Sequence, residues 1–186
     1  DPELKKAFVE GSDIHRRTAA LILGKAESEV SQSERRAAKT INFGVIYGMG
    51  AFRLAAELGI PRAEAQRFID AYFSRYAGVA RFIRETVDGA KTVGYVSTIL
   101  GRRRPIRAIN SRNANERQGA ERAAVNSPIQ GSAADIMKLA MLAADKLITK
   151  KYPDARLLLQ VHDELIIEVP KEQAPQLAQE LEVAMA

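Results

Sequence analysis

The sequence predicts an α+β fold that is mainly helical. Apolar residues recur at helical spacing over long stretches, at about 32–48, 62–91 and 115–150. Two short apolar runs, 156–161 and 165–169, flank His162-Asp163-Glu164 as the strands of a hairpin. A third run, 95–100, leads into Gly101-Arg102-Arg103, a strand followed by a hairpin turn.

The elements follow from local chemistry. Residues 3–24 alternate helix and turn signals, and Gly11-Ser12-Asp13 supplies a turn and an N-cap for a helix from about Ile14 to Leu23. Ser31 with Glu34 three residues on is a capping box, so it opens the next helix. Gly48-Met49-Gly50 closes that helix. A short helix at about 51–58 ends at Gly59-Ile60-Pro61, and Pro61 suits the start of the following one. Residues 62–91 read as helix with an interruption near Tyr76-Ala77-Gly78. Residues 107–115 are polar and Asn-rich, hence loop. The helix from about Asn115 to Lys150 is expected to be irregular at Asn126-Ser127-Pro128, because Pro disturbs the preceding turn. Pro170 stops the second strand of the last hairpin, and a final helix is expected from near Lys171.

The helix at about 32–48 carries the most information. Arg35, Lys39, Phe43 and Tyr47 recur on it every fourth residue. Each step of four advances about 40° around a helix, so the four form one slowly winding stripe. Two cations one turn apart suit a polyphosphate, and rings further along suit a base and a sugar. Ala37, Ala38, Ile41 and Val45 occupy roughly the opposite side, where a core would sit, and Ile46 breaks the segregation. The same spacing also fits a solvated basic face with Phe and Tyr in a core.

Composition narrows the field. A chain of 186 residues can bury a sizeable core in one or two domains. It has no Cys, which excludes disulfides and thiolate metal sites. No apolar run approaches a membrane span and no signal-peptide pattern is present, so no membrane partner and a cytoplasmic location are expected. The start at Asp1-Pro2 and a last amphipathic stretch without a stop signal lead to the expectation of a piece of a longer chain. The net charge of +5 is concentrated. Residues 91–125 hold eight Lys or Arg against Glu116 and Glu121 alone, the footprint of a phosphate-backbone binder.

Three ordered blocks carry a resemblance. Arg35, Lys39, Phe43, Gly44, Tyr47 and Gly48 match motif B of the family A DNA polymerases position for position. Gln160-Val161-His162-Asp163-Glu164 is similar to motif C of that family, downstream as the family requires. Residues 121–135 lie between them and also resemble the family, as does Asp13-Ile14-His15-Arg16. Phe43 and Glu164 set the pattern apart from the phage-type RNA polymerases. One departure is Gly50, where many relatives carry Ser.

The resemblance implies a helical fingers subdomain over about 1–115 and part of an antiparallel-sheet palm over 116–186, with the catalytic hairpin at 156–169. The basic hairpin and loop at about 95–115 would meet duplex or template phosphates. The implied reaction is attack of a primer hydroxyl on the α-phosphate of a deoxynucleoside triphosphate, with two Mg²⁺ ions stabilising the attacking and leaving oxygens. Asp163 would ligate metal, and Glu164 would support the site. Lys39, with Arg35 and His15, would bind the triphosphate. Phe43 would pack near the sugar and base, and would discriminate against dideoxynucleotides. Tyr47 would occupy the template-base stacking position, with Gly48 allowing close approach of backbone. Arg122, Asn126 and Gln130 would line template and primer, and His162 would touch the minor-groove edge at the primer terminus. Primer-template DNA and deoxynucleoside triphosphates are the implied partners. Motif A, the thumb and the C-terminal palm do not occur in this sequence, so the 186 residues alone are expected to be inactive. The rival reading is a non-catalytic nucleic-acid-binding helical module.

Overall fold

A computed structural model describes residues 1–185. It is mainly helical with two small antiparallel sheets, as the sequence predicts. The chain divides into two compact units. The first comprises 1–96 and 103–127, and the second comprises 97–102 with the residues from Pro128 onward.

In the first unit each early helix begins on a side-chain cap. Asp1 accepts from the Glu3 and Leu4 N–H groups at 2.9 and 3.2 Å and starts α1 (Pro2–Val9). Asp13 accepts from the His15 and Arg16 N–H groups, both at 3.1 Å, and starts α2 (Ile14–Leu23). The capping box of α3 (Gln32–Ile46) is reciprocal. The Glu34 N–H donates to Ser31 Oγ at 3.3 Å, and the Ser31 N–H donates to Glu34 at 2.8 Å. Next come α4 (Ala51–Leu58), α5 (Arg62–Arg75) and α6 (Ala77–Val93). The break between α5 and α6 falls at Tyr76, where the chain turns so that the Gly78 N–H reaches Asp1 Oδ2 at 2.8 Å.

The core of this unit forms where the apolar face of α3 meets the later helices. Ile41 and Val45 pack with Leu54, Ile69, Tyr72 and Tyr76. Ala38 packs with Ala19, Ala20 and Val30. Burial on this scale, at roughly 25 cal/mol per Å² of apolar surface, is what fixes α3 in place. Ala37, expected on the core side, is only half-buried. β1 (Tyr95–Ser97) pairs with β2 (Arg103–Pro105). β1 is shorter than expected. The Gly101 N–H donates to the Thr98 carbonyl at 2.9 Å and closes a turn, which leaves Ile99 and Leu100 outside the strand and exposed.

The long helix α7 (Ala114–Lys151) runs through the division between the units. Contrary to expectation, Pro128 lies inside it without interrupting the helix. Pro lacks the N–H that would bond the carbonyl four residues back. One residue earlier the Ser127 hydroxyl donates to the Ala123 carbonyl, and the helix continues.

In the second unit β3 (Arg156–Val161) pairs antiparallel with β4 (Glu164–Glu168), with Val161 opposite Glu164 and an irregularity between Leu157 and Leu159. Leu157 and Ile167 pack on Ile148, Tyr152, Ala155 and Leu177. The last of these belongs to α8 (Ala174–Met185), which begins later than the expected Lys171. The Gln173 and Ala174 N–H groups donate to the Pro170 and Lys171 carbonyls, so residues 170–173 form turns before the regular ladder starts. Leu158, Leu159, Val161 and Ile166 stay exposed.

Candidate functional site

The outer face of α3 opens on a cleft of about 720 Å³ in the first unit. Lys39, Phe43, Tyr47, Gly48 and Arg122 line it. Phe43 is 52% exposed and Tyr47 38%, values far above those of the core aromatics Tyr72 and Tyr76. Three members of the stripe, Lys39, Phe43 and Tyr47, therefore face the cleft and not a core. The regular helix ends at Ile46, one residue before the stripe does, and Tyr47 is its C-cap. Gly48 then takes φ +77°, a left-handed conformation that suits Gly. The side chain of Arg122 fills the space a Cβ there would need, with Cγ at 2.8 Å. Gly44 faces the Met49 side chain in the same way, at 2.7 Å.

Behind the stripe, α2 delivers a second set of groups. The Arg35 Nε–H donates to Asp13 at 2.5 Å, which leaves both terminal nitrogens of the fork for another ligand. This guanidinium holds the Asp13 carboxyl below its usual value, against the opposing pull of burial. The His15 ring stands 5.6 Å from the Phe43 ring at 52°. Its Nδ1 lies 3.0 Å from Asn42 Nδ2. Burial pushes the His15 imidazole below its ordinary value; the Asp13 charge opposes this, while Arg35 and Lys39 reinforce it. Both burial and the two neighbouring cations thus favour the neutral ring.

Asn126 is half-buried, and its Oδ1 has no hydrogen-bond partner among the described residues. Gln130 is exposed and belongs to the second unit. The basic segment is partly tied down within the fold. Arg102 donates through Nε to buried Asp135 at 2.7 Å and through Nη2 to the Gly131 carbonyl at 3.0 Å. Arg104 donates to Ser127 Oγ at 2.9 Å, and the Arg103 guanidinium lies 4.7 Å from the centre of the Tyr95 ring.

The β3–β4 hairpin belongs to the second unit and presents His162, Asp163 and Glu164 at an exposed tip. Two residues, His162 and Asp163, connect the strands, and His162 takes φ 54°. Tight two-residue hairpin turns demand such a left-handed residue. Gln160 Nε2–H donates to the His162 carbonyl at 2.7 Å and braces the turn. Adjacent carboxylates on a rigid tip suit a hard divalent cation. Among the described residues, however, no three His, Cys, Asp or Glu side chains gather to hold a metal ion. Asp163 and Glu164 fit as part of a metal centre and do not complete one.

A sequence profile of DNA polymerase family A matches residues 1–186. The chain belongs to DNA polymerase family A. It is 56% identical over 178 residues to the DNA polymerase I of Deinococcus radiodurans, covering 96% of this chain and 18% of that protein. It is 46% identical over 186 residues to the DNA polymerase I of Pseudomonas aeruginosa, covering all of this chain and 20% of that protein. The chain thus spans about a fifth of the length of these relatives. Among solved structures, the POL domain of Pol1 from M. smegmatis, in complex with DNA primer-template and dNTP, aligns with a TM-score of 0.90 at 42% identity, covering 97% of this chain and 32% of that one.

Within this family A chain, five of the residues given a binding role from the sequence share the cleft: Lys39, Phe43, Tyr47, Gly48 and Arg122. His15 reaches it through Phe43, and Arg35 is held beside His15 through Asp13. Sequence reasoning missed Arg36 and Arg53, two more cations on the cleft wall. Arg36 could have been found from its place three residues before Lys39. It also missed Asn42, a buried polar residue on the apolar face of α3. No described helix is long and apolar enough to cross a membrane.

Proposed function

We propose that this chain is the nucleotide- and template-handling part of a DNA-directed DNA polymerase. Residues of about 1–115 are mainly fingers, and 116–186 are part of the palm. The observation that carries the reading is the single cleft onto which Lys39, Phe43, Tyr47 and Arg122 open. A cation, two rings and a further cation in one open cleft match a triphosphate, a sugar and base, and a template strand. The solved neighbour, a POL domain in complex with DNA primer-template and dNTP, supports the same assignment.

Lys39 and the free nitrogens of the Arg35 fork neutralise the triphosphate, and His15 donates to it. Phe43 packs on the sugar and base. Tyr47 holds the template-base stacking position and yields it as α3 moves. The glycine at 48 lets template backbone approach. Arg122, Asn126 and Gln130 line template and primer, and His162 meets the minor-groove edge. Asp163 contributes one carboxylate to a Mg²⁺ centre, with Glu164 beside it. The bound ions would supply charge neutralisation at the attacking and leaving oxygens. The second carboxylate comes from outside these 186 residues, so the chain alone is not expected to extend a primer. The exposed apolar residues of β3 and β4 fit a sheet that continues into further palm strands.

The test is a chimera in which these residues replace the matching segment of the D. radiodurans enzyme. Lys39→Ala in it should raise KM for the deoxynucleoside triphosphate tenfold or more, roughly the worth of a charge-assisted contact. Affinity for primer-template should change less than about twofold. Equal losses of DNA and nucleotide binding would instead favour a general nucleic-acid-binding module.

A further inference from the structure

A buried hydrogen-bond relay ends on His15. Thr18 is completely buried. Its hydroxyl lies 2.8 Å from the Ile14 carbonyl, 3.1 Å from Asn42 Oδ1 and 2.9 Å from the Tyr76 hydroxyl. A hydroxyl has one proton to give. The Ile14 carbonyl and Asn42 Oδ1 are both acceptors and share it, so Tyr76 must be the donor toward Thr18. At the other end Asn42 Nδ2, which only donates, stands 3.0 Å from His15 Nδ1. With the amide in this orientation that ring nitrogen accepts, and so it carries no proton. The proton of the neutral ring is then on Nε2, across the ring from Asn42, where no hydrogen bond is made among the described residues.

We propose that Asn42 is a positioning residue: held by Thr18 and Tyr76, it fixes His15 in the Nε2–H form, so that a donor faces the incoming triphosphate. The tautomer follows from the relay with Asn42 Oδ1 turned toward Thr18. Its use in nucleotide binding rests on the function proposed above. The arrangement matters because a neutral ring offers one donor and one lone pair, and a lone pair turned toward phosphate oxygens would repel them. Reversing the Asn42 amide gives the opposite tautomer from the same heavy-atom positions. Asn42 Nδ2 would then donate to Thr18, Thr18 to Ile14, and His15 Nδ1–H to Asn42 Oδ1.

Two-bond ¹H–¹⁵N correlation on the full chain at about pH 8, where an ordinary imidazole is neutral, decides between them. The chain has two His, and His162→Gln assigns the signals. The expected result is an unprotonated Nδ1 and a protonated Nε2 on His15. Thr18→Val, which frees Asn42 Oδ1, should mix the tautomers, and Thr18→Ser should restore the single form. Protonation on Nδ1 in the unaltered chain overturns the proposal.

Asn42→Asp tests the use made of the tautomer, because a carboxylate draws the proton onto Nδ1. The charged groups facing His15 are Asp13 at the start of α2, with Arg35 and Lys39 on α3. In the chimera this variant should show KM for the nucleotide rising about five- to tenfold from pH 7 to 9, as the imidazolium loses its outer donor. The unaltered chimera should stay flat over that range. A flat profile in Asn42→Asp, with the tautomers as expected, overturns the role of His15 in nucleotide binding and upholds the relay.

Discussion

A Cβ placed on Gly48 would stand 2.8 Å from Cγ of Arg122. The end of α3 and the first part of α7 therefore meet at one residue where Gly is favoured on two counts: φ of +77° and the lack of room beside Arg122.

Gly48→Ala should destabilise the chain by about 1–3 kcal/mol, the sum of a left-handed Ala and a contact that must shift. Arg122→Ala in the same chain should relieve the clash and leave the backbone cost. Thermal unfolding of the two single variants and the double variant checks this. Strictly additive losses would show that the two residues do not meet.

The capping box makes stability depend on pH. Lys25, the Ser31 N–H and the Ser31 hydroxyl hold the Glu34 carboxyl down to about 2, from an ordinary 4.5. A carboxyl depressed in the folded state adds stability that is complete above 4.5 and is lost as pH falls toward about 2. Glu34→Gln should lower Tm at neutral pH by roughly 1–3 °C, the usual worth of a cap. The gap should close on acidification through that window, as followed by circular dichroism. A gap that does not narrow would contradict the assignment.

Arg102 is expected to act on stability before it acts on DNA. Its carboxylate partner Asp135 has 8% of its side chain exposed, while Arg102 itself is about half exposed at 51%. Arg102→Ala should lower Tm by removing one of the two side chains, Thr98 and Arg102, that hydrogen-bond the Asp135 carboxylate, and Asp135→Asn added to it should recover part of the loss. Unchanged Tm with weakened DNA binding in Arg102→Ala would return the residue to a phosphate-contact role.

Much of the fold was legible because its signals are local. Ser31 and Glu34 cap α3 from three residues apart, and the interruption at Tyr76 and the tip at His162-Asp163 rest on short-range turn chemistry. The cleft residues were legible because a four-residue repeat keeps side chains on one helix face. What escaped notice depends on partners distant in sequence. Asn42 reads as an ordinary polar residue until it is buried and bonded to Thr18, whose hydroxyl also meets Tyr76. Arg102 reads as free charge until Asp135, 33 residues away, claims it. Pro128 reads as a break, yet α7 holds its course around it. The late start of α8 turns on whether residues 170–173 bond three or four residues back, which composition does not fix.

The most direct test of the account is templated primer extension by the chimera carrying residues 1–186 in the D. radiodurans DNA polymerase I. The account predicts Mg²⁺-dependent extension, abolished by Asp163→Ala with primer-template binding retained. A folded, DNA-binding chimera that extends no primer, or one that extends equally well with Asp163→Ala, would contradict it.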